Sequence, residues 1–159
     1  MRASLDEIER VYRERGSDFY RFAYARTGDA NAARDAVQEG FANAVRNRDR
    51  YRGSGAVDAW IARCVINAAH DEARRETRME EEDRSDRSST SEPPVDAPMI
   101  RDALRRLPRR QRDVLFLRFY LGFDYGSIAD ALGIAVGTVS ATLHAARTSL
   151  AQSLQEVVQ

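Results

Sequence analysis

Arg63, Asn67, Asp71 and Arg74 recur at intervals of four, four and three residues. That spacing sets them on one stripe of a helix. Just ahead of them runs RNRDRYRGSGAVD, an arginine-rich loop with one aromatic, Tyr51, and two glycines. Single-stranded nucleic acid is held by cations on its phosphates and by rings that stack on its bases. Arg50, Tyr51, Arg52 and the polar stripe therefore form a first candidate binding site; the plainer reading of the stripe is a solvated helix face. A second candidate is Asp124 to Arg147, DYGSIADALGIAVGTVSATLHAAR. Ile128, Ala129 and Leu132 give its first helix an apolar face, and Gly133 supplies the left-handed exit. Val139 and Leu143 lie one turn apart on a second helix, placed to pack back on the first. This is the pattern of a helix-turn-helix, whose second helix enters the DNA major groove; the alternative is an ordinary helical hairpin.

Catalytic chemistry finds little support. His70 and His144 are isolated, and there is no glycine-rich phosphate loop. The acidic run EEEDRSD falls in a stretch too mobile to preorganise a site. One cysteine, Cys64, allows neither an internal disulfide nor a cysteine-based metal cluster. No enzyme activity, metal or cofactor is expected.

The 159 residues suffice for one ordinary domain or two small ones. Charged residues make up 31% of them, as in soluble proteins, and no apolar run approaches a membrane span. The opening MRASLDEIER has acids where a signal peptide needs an apolar stretch, so a cytoplasmic protein without membrane insertion is expected. All 25 basic residues are arginine; a GC-rich genome explains this better than selection for bidentate phosphate contacts. The net charge of zero is unevenly spread: residues 1–75 carry +2, residues 76–99 carry −5 and residues 100–159 carry +3. Two mildly basic blocks thus flank an acidic joint, and it is the local field that meets phosphate.

The elements that must position these groups are all helical. Ser4 and Glu7 form a capping box for a helix with Leu5, Ile8, Val11 and Tyr12 on one face. Gly16 is expected to end it and Ser17 to cap the next, SDFYRFAYART, whose Phe19, Tyr20, Phe22 and Tyr24 read as core. Gly28 stops that helix and Asp29 caps another, running to about Arg48. Its buried stripe is Ala33, Val37, Phe41, Ala44 and Val45, with Gly40 inside it at a cost of about 1 kcal/mol relative to Ala. Its other face carries Asp35, Gln38, Glu39 and Arg46. A further helix starts near Ala56, with Val57, Trp60, Ile61, Cys64, Val65 and Ala68 inside. The pattern fades after Arg78, and an acidic, Ser- and Pro-rich flexible linker follows over 79–98. Beyond it, Ile100, Ala103, Leu104 and Leu107 form a short helix ended at Pro108. Val114, Leu115, Leu117 and Phe119 are expected inside the next, which Gly122 closes. The expected fold is all-α, two small helical domains on either side of the linker, the second containing the helix-turn-helix.

Three stretches together resemble the extracytoplasmic-function (ECF) group of bacterial RNA polymerase sigma factors. FYRFAYARTGDANAARDAVQEGFANAVR is similar to the family's polymerase-binding segment. YRGSGAVDAWIARCVINAAHDEARR is similar to its −10 promoter segment, and LRRLPRRQRDVLFLRFYLGFDYGSIADALGIAVGTVSATLHAAR to its −35 segment. The resemblance implies a non-enzymatic initiation factor of two domains, sigma region 2 over 1–78 and sigma region 4 over 99–159. Its implied partners are core RNA polymerase, through the β′ coiled coil and the β flap, promoter DNA and a possible anti-sigma factor. By the same resemblance Asp35, Gln38, Glu39 and Phe41 belong to the polymerase-docking helix, Phe41 supporting it from inside. Arg50, Tyr51, Arg52, Arg63, Asn67, Asp71 and Arg74 match the part that captures an unpaired −10 base. Arg112, Thr138, Ser140, Thr142, His144 and Arg147 match the −35 reader. The acidic linker matches the segment that passes through the polymerase cleft.

The chain departs from the family's pattern in the second helix of the motif. Ala135 stands where a Ser cap is usual, a difference of about 1 kcal/mol. Ser140, Thr142 and Ala145 stand where basic residues are usual, and three lost phosphate contacts would lower the salt slope by about 3 × 0.9. Arg109, Arg110, Arg112 and Arg118 are placed to compensate; for Arg112 the alternative role is an ion pair with Asp113 or Asp130. These departures raise a second reading, a sigma-like regulator that docks on polymerase with weak or partner-dependent −35 readout. A stand-alone helix-turn-helix repressor or activator is a third reading, which leaves the first 75 residues without a role.

Overall fold

A computed structural model describes residues 2–53, 55–82 and 98–158. Every regular element among them is a helix, and they divide into two compact units. The acidic segment 83–97, most of the expected linker, lies outside the described residues.

The first unit packs three long helices, α1 (Leu5–Thr27), α2 (Ala30–Arg46) and α3 (Val57–Glu82), with a 3-10 turn at Arg48–Arg50. The capping box opens α1: the Glu7 N–H donates to Ser4 Oγ (3.1 Å) and the Ser4 N–H to Glu7 Oε2 (2.9 Å). The bond from the Ser4 N–H, with the Ser4 side chain beside it, holds the Glu7 carboxyl below its usual range. Contrary to expectation, α1 does not end at Gly16; it runs on to Thr27. The inward stripe Ile8, Val11, Phe19, Phe22 and Ala23 is continuous across Gly16. Burial along that stripe outweighs the propensity cost of about 1 kcal/mol. Gly28, at φ 69°, is the true stop, and Asp29 caps α2 by accepting from the Ala32 N–H at 2.9 Å.

The core of the first unit is smaller in its side chains than the apolar pattern suggests. Ala23, Ala33, Ala36, Ala44, Ala62 and Ala69 are fully buried beside Val11, Phe19, Ile61 and Val65. Leu5, Tyr12, Tyr24 and Val45 are exposed instead of internal, and Tyr20, Trp60 and Cys64 are half-buried. Small residues at the helix contacts bring the backbones close, so larger neighbours are squeezed to the edge of each stripe. The extreme case is Gly40. A Cβ there would lie 2.6 Å from Val65 Cα and 2.8 Å from Val65 Cγ2. The helix α3 also continues past Arg78, because Met79 and Glu80 to Glu82 are good helix formers.

The second unit contains α4 (Pro98–Arg105), α5 (Arg109–Leu115), a π-helical turn (Phe116–Tyr120), α6 (Tyr125–Leu132) and α7 (Val136–Val158). Ala103, Leu107, Val114, Leu117, Leu121, Phe123, Ile128, Val139, Leu143 and Ala146 are among its buried residues. Phe119 was expected inside and is 61% exposed. The π turn explains this: the Leu121 N–H bonds the carbonyl of Phe116, five residues back, so the side chains beyond Leu117 are rotated relative to an α-helix. Gly122, at φ 70°, turns the chain, and Asp124 caps α6 through the Ser127 N–H at 2.7 Å. No single helix among the described residues is long and apolar enough to cross a membrane.

Candidate polymerase and nucleic-acid interfaces

On α2, Asp35, Gln38 and Glu39 are exposed at i, i+3 and i+4, one surface patch of a helix. Arg46 lies at the same surface and donates to Glu39 Oε1 at 2.8 Å. Phe41 does not reach this patch. It is 7% exposed and meets the Tyr12 and Phe19 rings edge-on, with centroids 5.1 and 5.9 Å away. It can hold the helix from beneath but not touch a partner. The Asp29 cap, the Phe41 anchor and the close approach at Gly40 fix where the acidic patch sits in the first unit.

The described residues of the arginine-rich loop make specific contacts. After the 3-10 turn, the Tyr51 hydroxyl donates to the Gly55 carbonyl at 2.7 Å, and its ring leans on Trp60 at 5.8 Å. Gly53 and Gly55, at φ 73° and 85°, supply the left-handed backbone that so tight a return needs. Tyr51 is thus a strut of the loop, tied through its hydroxyl and set against Trp60. Arg50 and Arg52 are exposed beside it, and the stripe Arg63, Asn67, Asp71 and Arg74 is exposed along α3 as the spacing predicts. Arg74 is ion-paired with Asp71 one turn away, so that part of the stripe is nearly neutral.

In the second unit the turn between α6 and α7 is the expected one. Gly133 adopts φ 67°, and the Ala129 carbonyl accepts from the N–H groups of both Gly133 and Ile134. Ala129, Val139 and Leu143 are buried at the crossing. Ala135 occupies the cap of α7, its carbonyl accepting from the Val139 N–H at 3.1 Å; its side chain has nothing to offer the first turn. Thr138, Ser140, His144 and Arg147 are exposed, whereas Thr142 is half-buried. At 100° per residue, Ser140, His144 and Arg147 share one flank of α7 and Thr138 and Thr142 the other. Arg112 is half-buried on α5. Its Nε is buried without a hydrogen-bond partner, and burial, helped by nearby Arg109, pushes its pKa down. Asp113, offered above as its ion-pair partner, is 2% exposed and Asp130 is at the surface.

Three features at the candidate sites escaped the sequence reading. Trp60 was read as core and instead backs Tyr51. Gly137 and Ala141 lie on the outermost line of α7, where a Cβ on Gly137 would meet nothing within 4 Å. Phe119 lies under the Arg147 guanidinium, 5.2 Å from its carbon to the ring centroid. The heptad-like spacing of Gly137, Ala141 and His144 was available as a signal for the second; nothing in the local pattern announces a π turn.

Comparison with known proteins finds matches for both halves of the chain. The family model for sigma-70 region 2 matches residues 11–79, and that for sigma-70 region 4 matches residues 98–150. The ECF RNA polymerase sigma factor SigL of Mycobacterium tuberculosis is 32% identical over 156 residues, spanning 92% of this chain and 88% of its own. The ECF sigma factor EcfG of Rhodopseudomonas palustris is 32% identical over 139 residues, 84% of this chain and 77% of its own. Among solved structures, CnrH in complex with the cytosolic domain of CnrY shares the fold with a TM-score of 0.69 at 21% identity, covering 94% of this chain and 88% of that one. RpoE of Bartonella quintana, in complex with the anti-sigma factor NepR, has a TM-score of 0.68 at 22% identity, with 92% and 98% covered. Two sigma regions in their order, on helices that present an acidic face, a strutted arginine loop and a helix-turn-helix, place this chain in the ECF group of the sigma-70 family, the promoter-directing subunits of RNA polymerase.

Proposed function

We propose that residues 1–78 bind core RNA polymerase and the −10 element, that 79–98 connect the two halves, and that 99–159 read the −35 element. Asp35, Gln38 and Glu39 dock on a basic surface of the polymerase, with Phe41 as their internal support. Arg50, Arg52, Arg63, Asn67, Asp71 and Arg74 receive the unpaired −10 strand, on a loop that Tyr51 braces. Arg112, Thr138, Ser140, Thr142, His144 and Arg147 serve the −35 duplex. The chain contributes no catalytic group, and the phosphodiester chemistry stays with the polymerase in the cytoplasm. An anti-sigma partner completes this reading; its support is that a sigma factor of the same fold was solved bound to one.

The observation that carries the proposal is the pairing of both sigma regions with a relative that is 32% identical over 92% of the chain. The reading with weak −35 recognition is not favoured, since the region 4 match runs unbroken from 98 to 150 across the charge-poor helix. Run-off transcription with purified core polymerase and a promoter library tests the function. Specific transcripts above core alone are expected, with a large loss for Asn67→Ala. Transcripts no different from core alone on every template would refute it.

A further inference from the structure

Most of the arginines whose partners are resolved are matched to carboxylates. Arg10 bonds Glu14 and Asp58, Arg46 bonds Glu39, Arg74 bonds Asp71, and Arg75 bonds Glu72. Each of those pairs cancels the charge it positions. Arg147, the one arginine on α7, is held differently: its guanidinium lies over the Phe119 ring at 5.2 Å. An aromatic face attracts the cation through its quadrupole and contributes no charge. A guanidinium held over a ring keeps its charge and its N–H donors, the groups that grip phosphate. From Val136 to Gln155, α7 holds no carboxylate to compete for it.

The same contact accounts for Phe119 itself. A phenylalanine at 61% exposure forfeits most of the benefit of burying it. The π turn Phe116–Tyr120 turns its ring out of the core, while Leu117 beside it remains 1% exposed. Phe116 and Tyr120 stack on one another at 4.8 Å and leave Phe119 as the ring that meets Arg147.

We propose that Phe119 is a positioning residue for −35 binding, a neutral platform that orients the Arg147 guanidinium toward the DNA backbone and leaves its charge undiminished. This rests on the sigma-factor reading and adds to it a residue from outside the second helix of the motif. It also gives that charge-poor helix one fixed, undiluted phosphate contact.

The test uses holoenzyme reconstituted from core polymerase and the full chain, with promoter affinity measured across a salt series. Phe119→Ala and Arg147→Ala are each expected to weaken binding about three- to ten-fold. Each should also lower the salt slope by about 0.9, the release expected from one phosphate contact. The double variant should lose no more than either single one, and Phe119→Tyr, which restores the ring, should bind as wild type. Thermal unfolding should not move by more than a degree or two for Phe119→Ala, which separates positioning from folding. An unchanged slope for Phe119→Ala beside a reduced one for Arg147→Ala overturns the proposal. So do unchanged slopes for both, additive losses in the double variant, or a loss confined to Phe119→Ala, which would mark the ring as a protein contact. Failure of wild-type holoenzyme to transcribe from any promoter would instead strike the underlying function.

Discussion

Gly40→Ala sets two well-defined effects against each other. In a helix interior the change from Gly to Ala is worth about 1 kcal/mol in favour of Ala. Gly40, however, is buried where α2 meets α3, and its new Cβ would lie 2.6 Å from Val65 Cα, 2.8 Å from Val65 Cγ2 and 3.0 Å from Val65 N. Carbon atoms in good contact sit about 3.5–4 Å apart. Two of the three atoms in the way are backbone, so the helices must separate by roughly 1 Å. Overpacking of this kind costs about 1–3 kcal/mol, and the rigid obstacle puts it at the upper end. The net is a loss of about 1–2 kcal/mol, or roughly 5–15 °C in the melting temperature of a unit this size. Thermal unfolding followed by circular dichroism measures it. Trimming the neighbour, as Gly40→Ala with Val65→Ala, should not restore stability, because the Cα and N obstacles remain. Should Gly40→Ala melt above wild type, helix propensity has won and the close approach of α2 to α3 is wrong.

Other perturbations separate backbone, charge and loop effects. Gly133→Ala forces a side chain into the left-handed region at φ 67° and should destabilise the second unit by about 1–2 kcal/mol; Gly137→Ala, four residues on with open space around its Cβ, should stabilise it by up to about 1 kcal/mol. Calorimetry of the two variants should show shifts of opposite sign. The Asp124 carboxyl is held below its ordinary 3.8 by its bond from the Ser127 N–H. Its contribution is therefore complete above 3.8 and is lost as pH falls through the lower folded value. The Ser127 amide resonance should titrate with a midpoint below 3.8, a step that Asp124→Asn, which still caps, should abolish; a midpoint at or above that value would contradict the cap. Tyr51→Phe keeps the ring on Trp60 but deletes the bond to Gly55. Holoenzyme affinity for a single-stranded −10 oligonucleotide should fall about two- to five-fold, in line with one hydrogen bond of about 0.5–1 kcal/mol, with the melting temperature little changed.

Helix ends were the most legible part of the chain. The Ser4 box, the Gly28 and Gly133 exits and the Asp29 cap are local devices, and each is found where its residue type predicts. The helix-turn-helix was legible for the same reason, since Ala129, Gly133, Val139 and Leu143 need only their spacing. Gly16 misled because a glycine is a stop only when no buried stripe continues past it. Burial at stripe edges was also misread: Leu5, Tyr12 and Val45 have the right period but the wrong depth. Depth depends on how closely helices approach, and that is set by distant residues such as Gly40 and Val65. At the candidate sites, side-chain exposure followed from periodicity for Asp35, Gln38, Glu39 and the α3 stripe. The pairings did not. Tyr51 with Gly55, Arg74 with Asp71 and Arg147 with Phe119 depend on loop closure, rotamer and a π turn, none of which a pattern of residue types encodes.

The strut across the arginine loop has a kinetic meaning. Tyr51 is tied to Gly55 and set against Trp60 without any DNA present. If the loop receives the −10 strand as proposed, these contacts lower the entropy it must lose on binding, and capture of an unpaired base need not wait for the protein to rearrange. The slow coordinate then belongs to the duplex: how often a −10 base leaves its stack decides how often it is caught. Promoter opening by such a subunit should follow the breathing of the DNA, rising with temperature and negative supercoiling and falling when the −10 pairs are made stronger, while the protein acts as a fixed trap that rectifies those excursions.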